Sequence, residues 1–114
     1  MKDLEQLANE LNLSEERLIH KIDAFLIFAQ VQIANLEDAI EQKQYKKIVR
    51  YAHRLSVKAD KLNLDEIYIH TEHIELLAMF KRDTDYMLLF NELQEALFQL
   101  HEEFSEAKIV SPAR

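Results

Sequence analysis

The chain has no glycine, no cysteine, no tryptophan and one proline, Pro112, near its end. Without cysteine there is no disulfide framework, thiolate metal site or sulfur nucleophile. Without glycine and internal proline, hairpins and tight turns lose the residues they depend on, and long uninterrupted helices are favoured. No stretch is long and apolar enough to suggest a membrane span. The nearest, Ile22 to Leu36, is broken by Asp23, Gln30, Gln32 and Asn35. The first residues, MKDLEQLANELNLSEE, are too acidic and polar for a signal peptide. A cytoplasmic location is the expectation.

What is present points to one helical domain over residues 1–114, with a core over about 15–107. Length allows one domain, and 48% hydrophobic residues argue against disorder. The net charge of −7 disfavours nucleic acid and anionic membranes as partners. That average hides a contrast. Of 14 Lys and Arg, seven lie between Lys43 and Lys61 (Lys43, Lys46, Lys47, Arg50, Arg54, Lys58 and Lys61), with Asp60 the single acid among them. One basic segment on an acidic chain is either a solvated helix face or a dock for an acidic protein.

Hydrophobic spacing predicts five helices. Leu4, Leu7, Ala8 and Leu11 mark a short one. Ser14 is expected to cap a second from about Glu15 to Glu41, with Leu13 stapling onto Leu18. Its buried stripe is Leu18, Ile22, Phe25, Leu26, Ala29, Ile33, Leu36 and Ile40, widened by Ile19, Ile27, Phe28 and Val31. Gln42 to Gln44 is the expected turn. The third helix, Tyr45 to Leu62, buries Tyr45, Ile48, Ala52, Leu55, Ala59 and Leu62. Asn63 is a candidate left-handed cap. Asp65 is expected to cap a fourth helix, with Leu64 and Ile69 as a staple; Ile67, Thr71, Ile74, Leu77 and Ala78 point inward. Asp83-Thr84-Asp85 starts a fifth through Met87, Phe90, Leu93, Leu97, Leu100 and Phe104. Ser111 to Arg114 reads as a frayed tail. The fold class is therefore all-α: an antiparallel up-down four-helix bundle with a short additional N-terminal helix.

Histidines occur at 20, 53, 70, 73 and 101. A di-iron bundle needs paired Glu-x-x-His motifs, and no histidine here has a Glu three residues before it. His70 and His73 lie one turn apart without a matching pair, so no metal site is expected; His70 reads as a seam contact, and His20, His73 and His101 as surface. Nothing resembles a phosphate loop or a nucleophile elbow. His53 differs. It sits about 100° round the helix from the Ala52 stripe, so it points outward, with Val49 and Val57 one turn to either side and Arg50 and Ser56 at minus and plus three. An outward imidazole in its neutral form offers a nitrogen lone pair to phosphorus.

Ala52-His53-Arg54-Leu55, followed by Ala59, Leu62 and Ile67, resembles the phosphohistidine segment of histidine-containing phosphotransfer (HPt) domains, whose pattern is roughly Ala-His-x-Leu-Lys-Gly, then small residues, then Leu-Gly-Ala. Leu36 to Ile40 and Ile74-Glu75 resemble the flanking helices, and the likeness spans about Glu15 to Phe104. It implies a helical bundle whose His53 accepts a phosphoryl group and exchanges it with the aspartate of a response-regulator receiver domain, or takes it from a sensor histidine kinase. Mg²⁺ is expected on the receiver, with no cofactor bound by this chain. A carboxylate from the next helix holds the other imidazole nitrogen in some members. Glu75 is the candidate, ahead of His70 and Glu72. The chain departs from the family at Ser56 and Val57, where lysine and glycine are usual. A lysine there would lean back over the histidine; Ser56 offers only a hydroxyl, Arg50 leans away and Lys58 starts about 140° round the helix. Val49 and Val57 would form an apolar collar, and Arg50, Arg54 and Lys58 a basic steering surface. The alternative is a non-catalytic HPt-like module that binds a receiver or kinase without transfer. A plain dimerisation or assembly bundle is the third possibility.

Overall fold

Four short connections built without glycine set the layout of the helices. A computed structural model describes residues 3–110, with side chains through residue 104; the expected tail at Ser111 to Arg114 lies outside these. The elements in order are α1 (Leu4–Leu11), α2 (Glu15–Glu41), α3 (Tyr45–Lys61), α4 (Asp65–Met79) and α5 (Tyr86–Val110), and no strand occurs among the described residues. The first four helices end in the same way. A residue just past each adopts the left-handed conformation: Asn12 (φ 56°), Lys43 (φ 55°), Asn63 (φ 53°) and Lys81 (φ 51°). Backbone bonds such as Leu64 N–H to Ala59 O (2.9 Å) and Arg82 N–H to Leu77 O (2.9 Å) then satisfy the last carbonyls. Asparagine tolerates this conformation; lysine holds it against a steric cost. Lys43 thus supplies the turn that Gln42 to Gln44 must make despite poor turn chemistry.

Helix starts follow the expected chemistry in part. Asp3 accepts from Gln6 N–H at 2.7 Å, Ser14 Oγ from Arg17 N–H at 3.1 Å, and Asp85 Oδ1 from Leu88 N–H at 3.1 Å. Asp65 is not the cap of α4. It is the first helical residue, and Leu64 occupies the cap position without a side-chain bond. The chain reaches α4 straight from the reversal at Asn63, so burying Leu64 takes precedence over a polar cap. Of the expected Leu64–Ile69 staple, Leu64 is buried and Ile69 is exposed, and both border one hollow beside α1 and α5.

The core draws on all five helices. Leu18, Leu36, Ile48, Leu55, Ile74, Phe90 and Leu93 are its largest fully buried apolar side chains. α3 packs most extensively on α4; α2 contacts α3 and α5, α4 also contacts α5, and α1 lies on α2. Asn63 Nδ2 donates to Glu10 Oε1 at 3.3 Å, tying α1 to the α3–α4 reversal. The stripe of α2 differs from the expected one. Ile27 and Val31 do not widen it but stand in solvent, while Gln32 and Ala39 are buried. Gln32 and Ala39 lie on one side of the Leu18–Leu36 line and Leu26 and Ile33 on the other, so α2 buries a broad arc and leaves its back apolar. Tyr45 and Leu62, expected in the core, are half-buried at the ends of α3. No helix among the described residues is long and apolar enough to cross a membrane.

Candidate functional site

The α3–α4 seam places His53 beside Glu75. Ala52 and Leu55 anchor α3 in the core, which turns the intervening His53 outward, with its side chain 59% exposed. Ile74 and Ala78 anchor α4 and leave Glu75 at the edge of the seam, its side chain 13% exposed. The two meet through His53 Nδ1 and Glu75 Oε2 at 2.9 Å. A carboxylate can only accept, so Nδ1 carries the proton and donates. In the neutral ring that fixes the lone pair on Nε2.

Ser56 lies beneath this pair. It is buried, with Oγ 3.2 Å from Glu75 Oε1 and 2.9 Å from the carbonyl of His53. Its single hydroxyl proton serves one acceptor at a time. Either way the hydroxyl faces the carboxylate and the backbone, not the solvent side of the imidazole. The helical position explains this: Ser56 is four residues after Ala52 and three before Ala59, on the margin of the buried stripe. That spacing was the available signal for its burial.

Around the pair runs an open hollow of about 330 Å³. Val57 and Lys61 line it from α3; Tyr68, Glu72 and Leu76 line it from α4. Lys61, Tyr68 and Leu76 were not singled out from the sequence, although Tyr68, Glu72 and Leu76 fall at a helical spacing of four. The Glu72 carboxylate holds the Tyr68 phenol above its ordinary pKa, first by hydrogen bonding and then by charge, so Tyr68 keeps its proton over the whole neutral range. His70 borders a different hollow, between α4 and α5, and does not approach His53.

The remaining basic and apolar candidates are dispersed along α3. Val49 is half-buried against the core, Val57 is 39% exposed, and Arg50 is exposed. The Arg54 guanidinium lies 5.6 Å from the centroid of the Tyr51 ring. Lys58 is drawn to the opposite side of α3, its ammonium 4.8 Å from the centre of the Phe28 ring of α2. Lys58 therefore does not line the His53 hollow, whereas Lys61 does. Among the described residues no group of three or more His, Asp or Glu side chains could hold a metal ion. No protein-family model, curated protein or solved structure matches this chain.

Proposed function

We propose that this protein is a phosphotransfer module of the histidine-containing phosphotransfer type, an antiparallel up-down four-helix bundle with α1 added, working in phosphorelay signalling in the cytoplasm. The observation that carries the reading is the 2.9 Å contact of His53 Nδ1 with Glu75 on an otherwise exposed imidazole. It gives the ring one committed nitrogen and one free one. Nε2 attacks the phosphorus of an acyl phosphate on a receiver aspartate, in line with the acyl oxygen. The N–P bond forms as the O–P bond breaks, and the aspartate leaves as carboxylate. The Nδ1 proton stays on the ring. The ring is then cationic, and Glu75 sits where it balances that charge. The reverse step returns the group to a receiver. The receiver's acidic pocket and Mg²⁺ supply the rest; this chain offers an apolar collar at Val49 and Val57 and basic steering from Arg50 and Arg54, while Lys58, held against Phe28, takes no part.

Incubation with phosphoramidate or a phosphorylated receiver tests the reading. Acid-labile label should appear on the wild-type chain and be absent from His53→Gln. Label that persists in the variant refutes the assignment.

Ser56 favours a second reading, a receiver- or kinase-binding module without transfer. Its hydroxyl is buried under Glu75 and places no cation beside the phosphoryl position. Replacing Ser56 with lysine and Val57 with glycine separates the two. A large gain from near-zero transfer supports the binding module; little change supports the carrier.

A further inference from the structure

The bundle is not filled at the end where α1 lies. α1 has 8 residues and packs on α2. Between it and the facing ends of α4 and α5 is a hollow of about 340 Å³, more enclosed than the one beside His53. Leu4 and Leu7 line it from α1, Leu100 and Phe104 from α5, and buried Ile22 and Leu64 complete a mostly apolar lining. Ile69, 64% exposed, stands at its edge. The charged groups on the hollow are all of one sign. Asp65 and Glu66 come from the first turn of α4 and Glu103 from α5. Among the described residues no lysine, arginine or histidine lines it.

We propose that this hollow binds a small molecule with an apolar body and one cationic group. Size and lining select the body. The volume falls within the roughly 300–1,000 Å³ of small-molecule sites and matches about ten waters at liquid density, yet water placed there would face side chains that cannot bond it. Charge selects the head group. A fatty acid or an organic phosphate would bring its anion against Asp65, Glu66 and Glu103, whereas a protonated amine meets opposite charge there. The three carboxylates are not equivalent. Asp65 and Glu66 also answer the positive end of the α4 dipole; Glu103 lies inside α5, away from any such end. A bare metal ion is not the occupant, because no group of three or more His, Asp or Glu among the described residues could hold one.

Such a ligand would join elements that otherwise touch little. A helix as short as α1 is not stable alone, and α1 is held by α2 and by the 3.3 Å bond from Asn63 to Glu10. A molecule seated against Leu4 and Leu7 on one side and Leu64 and Leu100 on the other ties α1 to α4 and α5. Binding should therefore order α1 first. About 15 Å of helical rise separates His53 from Asn63, which also lines the hollow. The site is thus distinct from the His53–Glu75 pair, and the inference does not depend on phosphotransfer.

Nuclear magnetic resonance titration of the full chain with three compounds of one shape tests it: 4-phenylbutylamine, 4-phenylbutan-1-ol and 4-phenylbutanoate, which are cationic, neutral and anionic at neutral pH. The amine should shift the amides of Leu7, Ile69 and Leu100, saturate in the submillimolar range and slow amide exchange in α1. The alcohol should bind more weakly, and the carboxylate at least about tenfold more weakly than the amine. Glu66→Gln combined with Glu103→Gln should reduce the amine to the affinity of the alcohol. The alcohol should bind this variant as it binds wild type, which shows the hollow intact. Glu37→Gln combined with Glu41→Gln, at exposed positions near the other end of α2, changes the net charge equally and should preserve the amine's advantage. Three results overturn the proposal: none of the compounds shifts those amides at millimolar concentration, the carboxylate binds as tightly as the amine, or the Glu37 and Glu41 substitutions erase the preference as fully as those at the hollow.

Discussion

Replacing Glu75 with glutamine separates two things the carboxylate does for His53. Glutamine keeps the length of the side chain and a carbonyl oxygen that accepts from Nδ1–H, so the tautomer should survive. It removes the negative charge that, in the proposed transfer, faces a ring made cationic by phosphorylation. A hydrogen bond to a charged partner contributes about 1.5–3 kcal/mol. Glu75 is mostly shielded, but His53 is 59% exposed and solvent screens the pair, which favours the lower end. At 1.36 kcal/mol per decade, Glu75→Gln should slow phosphorylation of His53 about tenfold, and Glu75→Ala, which also frees the tautomer, by more. Two measurements check this independently. Initial rates with phosphoramidate report the transfer step without a receiver interface. Imidazole nitrogen-15 shifts report the tautomer without any transfer: Nδ1–H should dominate the neutral ring in wild type and in Glu75→Gln, but not in Glu75→Ala. If Glu75→Gln is phosphorylated as fast as wild type, the charge has no part in the chemistry. If Glu75→Ala keeps the Nδ1–H tautomer as well, the contact does not orient the ring in solution.

Ser56→Ala should leave Glu75 Oε1 without its hydroxyl donor and slow transfer only a few-fold, because water at the seam can replace the bond; a loss as large as that of Glu75→Ala would mean that the hydroxyl acts on phosphate directly. Lys43→Gly and Lys81→Gly relieve a left-handed backbone at exposed lysines. The relief of about 1–2 kcal/mol is offset in part by glycine's greater freedom in the unfolded chain, leaving about 0.5–1 kcal/mol for each, additive across distant loops and visible as a rise of a few degrees in melting temperature. Tyr86 donates to the carbonyl of Arg82 at 2.7 Å, and burial, then Tyr45 and Asp83, raise its phenol above 10.0. Folding thus favours the protonated phenol: this stability is fully present below about pH 10 and is lost as pH rises through the folded value. Tyr86→Phe should cost about 1 kcal/mol at neutral pH and fall less steeply than wild type in alkaline denaturation.

Much of the helix layout was legible because burial writes a simple period into the chain. Ile48, Ala52, Leu55 and Ala59 recur every three or four residues and mark both the helix and its buried side, and Ser14 announces the start of α2 through its own hydroxyl. Termination was harder to read. The reversals rest on backbone bonds at left-handed residues, and Lys43 and Lys81 carry no side-chain signal for that conformation. Asp65 misled because an acid near a helix start serves equally as cap or as first-turn residue, and only the path of the preceding reversal decides. Ile27 and Val31 misled for a related reason. Periodicity shows which residues are apolar, but not how many neighbours a helix has, and α2 has too few to cover all of them.

The same limit explains Ser56. Compared with a family pattern that carries lysine at this position, it reads as a weakened phosphate contact, and its spacing from His53 puts it on the accessible surface. Packing changes the comparison. A lysine has a stem long enough to emerge from a seam, whereas a serine at the same Cα ends inside it, where the nearest polar group is Glu75. Substitution there alters which group the side chain addresses as well as its charge: a lysine would reach the phosphoryl group of the proposed transfer, and the serine contacts the carboxylate that holds the histidine. Under the proposed phosphotransfer function, a chain built this way would place less electrostatic stabilisation on its own surface and leave more to the receiver's pocket, so its transfer rate should depend more strongly on the receiver supplied in the assay than on the histidine's own reactivity.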